Sequence, residues 1–162
     1  MLQHEFWLRL EYLPLAEQIG ATWLFPLFNS LHVLGATMMF GALLMLDLRL
    51  TGVAGRTYSV RDMNKDFLPW IWLAFVITVI TGVALFITRS SVHVLNPAFQ
   101  WKVILILLAG INMLALHWLC NRLPAGWDFN AALPVWVRVC GVTSLLLWAG
   151  VMLGGRWMGH IV

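Results

Sequence analysis

Three side chains that can change protonation or bind a metal lie within or at the edge of long apolar stretches: His32, Lys102 and His117. An ionisable group at membrane depth is costly unless it faces protein and finds a partner, so such groups mark where function resides. His32 lies in Asn29-Ser30-Leu31-His32-Val33-Leu34-Gly35-Ala36, with Gly35 and Ala36 three and four positions on, on the same helical face. Imidazole is an axial ligand for haem iron, and small neighbours would leave room for a porphyrin among Leu, Met and Phe. His32 is therefore the expected metal ligand of a b-type haem. The competing reading is an interhelical hydrogen bond, with Gly35 permitting close packing.

Lys102 could neutralise a haem propionate or ligate near His32, or it could snorkel to the membrane surface. His117 lies on the same helix at an angle of roughly 60° and about 22 Å from Lys102, so the two cannot serve one atom. It could bind a second haem or hydrogen-bond Asp47, the plainer of the two. His93 and His160 fall on the same side as His32 and are candidate second axial ligands, against the alternative that both are solvated. Asn112, in mid-helix among Leu, Ile and Ala, must find an interhelical partner. Gly150-x-x-x-Gly154 permits a close helix contact, either within one molecule or with a second copy.

The elements that hold these groups follow from composition. Of 162 residues 61% are apolar, 10% are charged and 10 are tryptophan, with mean hydropathy +0.84, which is too apolar for a soluble domain of this length. The net charge of +3 is scattered along the chain, so nucleic acid is excluded as a partner. Cys120 and Cys140 form no C-x-x-C pair, which excludes a disulfide scaffold, a zinc site and covalent haem attachment. His4, Glu5, Arg9, Glu11 and Glu17 interrupt the apolar core a cleaved signal would need, so the N-terminus is expected to be retained.

No Lys, Arg, Asp or Glu lies between Glu17 and Asp47, Asp66 and Arg89, Lys102 and Arg122, or Arg138 and Arg156. A membrane helix needs about 20 such residues. With Pro26, Pro69, Pro97 and Pro134 read as first-turn prolines, the expected spans are about 25–48, 67–88, 97–120 and 134–155. Leu2, Phe6, Leu10 and Leu13 share one face of an expected interfacial helix over about 2–13, which Pro14 interrupts. The fold class is all-α: one integral membrane four-helix bundle with an N-terminal amphipathic helix. No internal repeat supports an inverted-repeat transporter.

Arg49, Arg56, Arg61 and Lys65 follow the first span, and Arg122 and Arg138 flank the third connection, against Arg9, Arg89, Lys102 and Arg156 on the opposite side. The positive-inside rule then puts both termini outside. Trp23, Trp101 and Trp157 would mark the outer interface, and Trp70, Trp72, Trp118 and Trp136 the inner one.

Leu31-His32-Val33-Leu34-Gly35, Leu46-Asp47-Leu48-Arg49-Leu50-Thr51-Gly52 and Asn96-Pro97-Ala98-Phe99-Gln100-Trp101-Lys102, with Asn112 and His117 beyond, resemble a group of small uncharacterised bacterial four-helix membrane proteins. These segments and their surroundings cover about half the chain, and the likeness implies a bacterial inner (cytoplasmic) membrane. More distantly, a histidine on the first span with a lysine and a later histidine on the third is similar to the haem-binding membrane-bound protoporphyrinogen oxidases. That resemblance implies haem b and redox chemistry, with His32 and Lys102 as the matching positions. The chain lacks the Trp-x-Ala-Gly-Leu and Tyr-Leu-Pro-Arg character of that family's first span.

The expected function is thus a membrane haem protein that transfers electrons to or from a redox partner protein, any chemistry being the cofactor's. The rival class is a cofactor-free structural or small-transport subunit in which the polar groups bond only one another. A protoporphyrinogen oxidase-like enzyme is a third. The bilayer is the certain partner of such a chain, and a second copy of the chain a candidate one.

Overall fold

The computed structural model describes residues 2–120, 122 and 133–160, with no account of the side chains of residues 2–4, so Leu2's place on the expected amphipathic face lies outside what is described. Seven α-helices are found among the described residues: α1 (Leu2–Glu11), α2 (Pro14–Ala21), α3 (Leu24–Thr51), α4 (Val60–Ile87), α5 (Ser90–Leu95), α6 (Pro97–Cys120) and α7 (Val135–Trp157). Helices α3, α4, α6 and α7 are long and apolar enough to cross a membrane, and they make this a multi-pass membrane protein. No strand occurs among the described residues.

The helices begin where the local chemistry satisfies their first amides. Pro14 opens α2 rather than merely interrupting α1, as proline does at a first helical position, and Ala16 and Ile19 are buried by it. Helix α4 starts at Val60, ahead of the apolar stretch, because the Ser59 side chain accepts from the amides of Arg61 and Asp62 at 3.1 and 3.3 Å. Pro69 is therefore inside this helix and not in its first turn, a correction to the sequence reading. Charged residues keep a segment out of lipid without keeping it out of a helix. The Asn96 carboxamide caps α6, accepting from Ala98 and Phe99, and its Nδ2 donates to the Met158 carbonyl, which ties the start of α6 to the end of α7.

The bundle closes through α3 against α4, α3 against α7 and α6 against α7; α4 and α6 share no comparable interface. Glycines set the closest approaches. A Cβ at Gly35 would lie 2.6 Å from Thr78 Oγ1 and 3.2 Å from the Ala74 carbonyl oxygen, so α4 occupies the space that glycine leaves. Gly141 lets α7 meet α3 beside Leu50, and Gly150 and Gly154 seat α7 on Leu105 and Ala98 of α6. The glycine pair thus serves packing within one molecule.

At one end, α3 stops at Gly52, which takes φ +77° and donates its amide to the Arg49 carbonyl, while the Val53 amide returns to Leu48. Arg49, 1% exposed, donates from Nε to the Tyr58 carbonyl at 2.6 Å and holds the 52–59 connection beneath the bundle. At the other end, the connection between α4 and α6 contains α5. Ser90 there donates to the Trp7 carbonyl at 2.7 Å, and the Ser91 amide donates to Glu11 at 2.7 Å, so α1 docks on α5. Trp70, Trp72, Trp101, Trp118 and Trp157 are exposed on the helices and Trp23 is exposed just ahead of α3, whereas Trp136 is partly buried against Leu50, Leu133 and Val137.

Candidate functional site

The polar groups separate into two sets at opposite ends of the bundle. At the α5 end, His32 of α3 donates from Nδ1 to the Thr78 carbonyl of α4 at 2.9 Å, with Thr81 Oγ1 at 3.2 Å from the same nitrogen. A ring nitrogen that donates to a carbonyl carries the proton, so the neutral imidazole keeps its Nε2 lone pair free to act as an acceptor or ligand. The ring fits because Gly82 faces it: a Cβ there would come 2.9 Å from His32 Cε1. Thr78 and Thr81 are placed by bonding back to the Ala74 and Ile77 carbonyls, so α4 presents the imidazole with ordered partners.

The small-residue face expected to receive a flat ligand is not open. Gly35 is buried against Thr78, so the glycine serves the α3–α4 contact. What Gly35 was expected to offer a porphyrin, α4 has taken. Lys102 of α6 is half-buried, with its stem over α7: its Nζ lies 3.7 Å from where a Gly155 Cβ would stand. Its charge reaches both His32 and His93 electrostatically.

His93 is not on a loop. It sits half-buried in α5, stacked with Phe86 and Phe99 at centroid distances of 6.4 and 6.2 Å. The sequence reading missed α5 because six residues carry too little periodicity to register. Burial lowers the imidazole's pKa from its ordinary 6.5, with Arg89 adding to the effect, Glu11 opposing it, and Lys102 adding further. The folded chain thus favours the neutral ring. Its stabilising contribution is complete above the unfolded pKa and is lost as pH falls through the lower folded value. Thermal stability in detergent should accordingly fall more for the wild type than for His93→Phe between about pH 7 and about pH 5. Equal losses in both would remove His93 from the account. His160 lies exposed just beyond α7.

At the other end, a cavity of about 200 Å³ lies between α3, α4, α6 and α7. Asp47, Asn112, His117 and Ser144 contribute to its wall. His117 donates from Nδ1 to the Met113 carbonyl of its own helix at 3.0 Å, and neither a hydrogen bond nor an ion pair joins it to Asp47. The expected His117–Asp47 bond is therefore corrected: an i−4 carbonyl on the same helix is the nearer partner, and the two residues share a cavity instead. Asn112 meets its expected requirement by donating from Nδ2 to the Cys140 carbonyl of α7 at 3.0 Å. Among the described residues no three His, Cys, Asp or Glu side chains converge as a metal-binding group. A haem iron held by one or two histidines needs no such group.

Over residues 12–161 the chain matches the model of a family described as "Family of unknown function (DUF6644)". No curated protein and no solved structure matches it.

Proposed function

Because the chain belongs to this family of unknown function, DUF6644, membership brings no activity with it, and from the geometry we propose a membrane protein that binds haem b through His32 and passes electrons to or from a partner. The observation that carries this reading is the His32 ring itself. Its Nδ1 proton is committed to the Thr78 carbonyl, which orients the ring and leaves Nε2 as the donor atom a metal takes. The axial donor fits a haem iron. The bed fits only on the side away from α4, since Gly35 is filled. Toward α6 the packing is sparse, and Lys102 there supplies a positive charge suited to a propionate. His93, stacked at the same end with its neutral ring favoured by burial, and the exposed His160 would be the candidates for a second ligand.

Haem would supply one-electron redox chemistry, and the chain's part is to ligate, to orient and to exclude water. Purified protein, or protein supplemented with haem, should show a Soret band that sharpens on reduction. A preparation that stays colourless after supplementation defeats the reading in favour of a cofactor-free subunit. That second reading draws its own support from Asn112 and His32, since both make interhelical hydrogen bonds that need no ligand. An oxidase of the protoporphyrinogen type is separated from both by whether the gene restores haem synthesis in a strain lacking that step.

The membrane is proposed to be a bacterial inner membrane, with the 52–59 connection in the cytoplasm and both termini outside. Ser59 is a buried cap, so the position to label is the exposed Thr57. A Thr57→Cys protein lacking Cys120 and Cys140 should resist an impermeant thiol reagent in intact cells and react after lysis. Reaction in intact cells would invert the topology.

A further inference from the structure

We propose that the cavity at the 52–59 end is a binding site for a small apolar molecule carrying an ammonium head, with Asp47 as its counter-ion. Asp47 is 4% exposed, accepts a hydrogen bond from Ser144, and has its Oδ2 buried with no partner among the described residues. A buried carboxylate with an unsatisfied oxygen and no ion pair is an expensive arrangement unless something else completes it. The cavity wall provides what could be completed. His117, with its Nδ1 proton on the Met113 carbonyl, has in its neutral ring only an acceptor left to give. Asn112 has spent Nδ2 on the Cys140 carbonyl and retains its carboxamide oxygen.

Asp47, His117 and Asn112 thus offer acceptors, and an ammonium carries three N–H donors and no acceptor. Apart from Asn64, Arg61, Ser144 and Cys120 the rest of the wall is apolar, including Leu46, Ile71, Leu116 and Trp148, and the indole can favour a cation over its face. Arg61 also borders the cavity; it is exposed overall and has a partner of its own, and Asp47 is the acidic group of the wall. At about 200 Å³ the space is below the roughly 300 Å³ at which pockets for drug-sized ligands begin, which limits the occupant to about the size of a substituted benzene. This inference is independent of the haem reading, because His32 lies about 22 Å of helix rise from Asp47.

The test uses the full chain in neutral detergent, titrated calorimetrically with benzylammonium and with its uncharged analogue benzyl alcohol. Benzylammonium should saturate a single site, and Asp47→Asn should weaken it by about tenfold to a hundredfold, while the weaker binding of benzyl alcohol is unchanged. Absence of saturable benzylammonium binding, or equal affinity for both probes, overturns the proposal. A second measurement does not depend on the folding of the Asp47 variant. In a Cys140→Ser protein, benzylammonium should slow maleimide labelling of Cys120, which borders the same cavity, and benzyl alcohol should not. Unslowed labelling with benzylammonium overturns it as well. Asp47→Asn should leave any Soret band in place, so the two sites fail separately.

Discussion

The His32→Ala protein is expected to lose the haem spectrum completely while still inserting as a bundle. The ring has its Nδ1 proton committed to the Thr78 carbonyl and its Nε2 uncommitted, so its removal takes away the proposed metal donor itself. The structural cost is small: one hydrogen bond to the Thr78 carbonyl, worth about 0.5–1.5 kcal/mol. Lys102→Ala should retain haem and lower its reduction potential, because a nearby positive charge favours the reduced state. His117→Ala should change neither, lying at the opposite end. Redox titration of the three variants beside the wild type distinguishes these outcomes. Loss of haem in His117→Ala with His32→Ala unaffected would move the site to the other end of the bundle.

The second large effect concerns packing. Gly35→Leu should destabilise the protein by about 3 kcal/mol, at the upper end of what overpacking usually costs. Its Cβ alone would stand 2.6 Å from Thr78 Oγ1 and 3.2 Å from a backbone oxygen that cannot withdraw without moving α4. The branched end would force the helices apart and break the His32–Thr78 bond with them. Gly35→Ala in a Thr78→Ala background should be far milder than Gly35→Ala alone, since the nearer obstacle is then gone, and the departure from additivity measures that contact. Thermal unfolding in detergent reads all three. A Gly35→Leu protein as stable as the wild type would mean that α3 and α4 are not in the contact described.

The four apolar stretches were legible because exclusion of charge over some 20 residues is a demand of the bilayer rather than of any partner. Where the demand weakens, the reading weakens. The first turns of α4 carry Arg61, Asp62, Lys65 and Asp66, and there the end of the apolar stretch is not the end of the helix, whose start Ser59 capping sets. Helix α5 and its histidine were hidden by brevity. The site was legible as a set of residue types and not as an arrangement. His32 and Asn112 stand out for polarity in an apolar run, but which side of His32 is open depends on Thr78, 46 positions away. Asp47 belonged in the sequence reading only as a partner for His117. Its role in a cavity wall required four helices to be placed, and its one available signal was an acidic residue between two leucines near a span's end.

The seam between α3 and α4 has a consequence for how the chain is made. Gly35 receives Thr78, and one turn away Gly82 receives His32, so each helix offers the other one recess and one projection, and sliding by a turn would bring two side chains into collision. The link between them is closed by Gly52 and by Arg49 on Tyr58. Every residue that fixes this register lies before α5. The hairpin can therefore be finished in the bilayer while α6 and α7 are still untranslated, and the later pair assembles onto a completed template, with Val137 and Gly141 of α7 both seated beside Leu50 of α3.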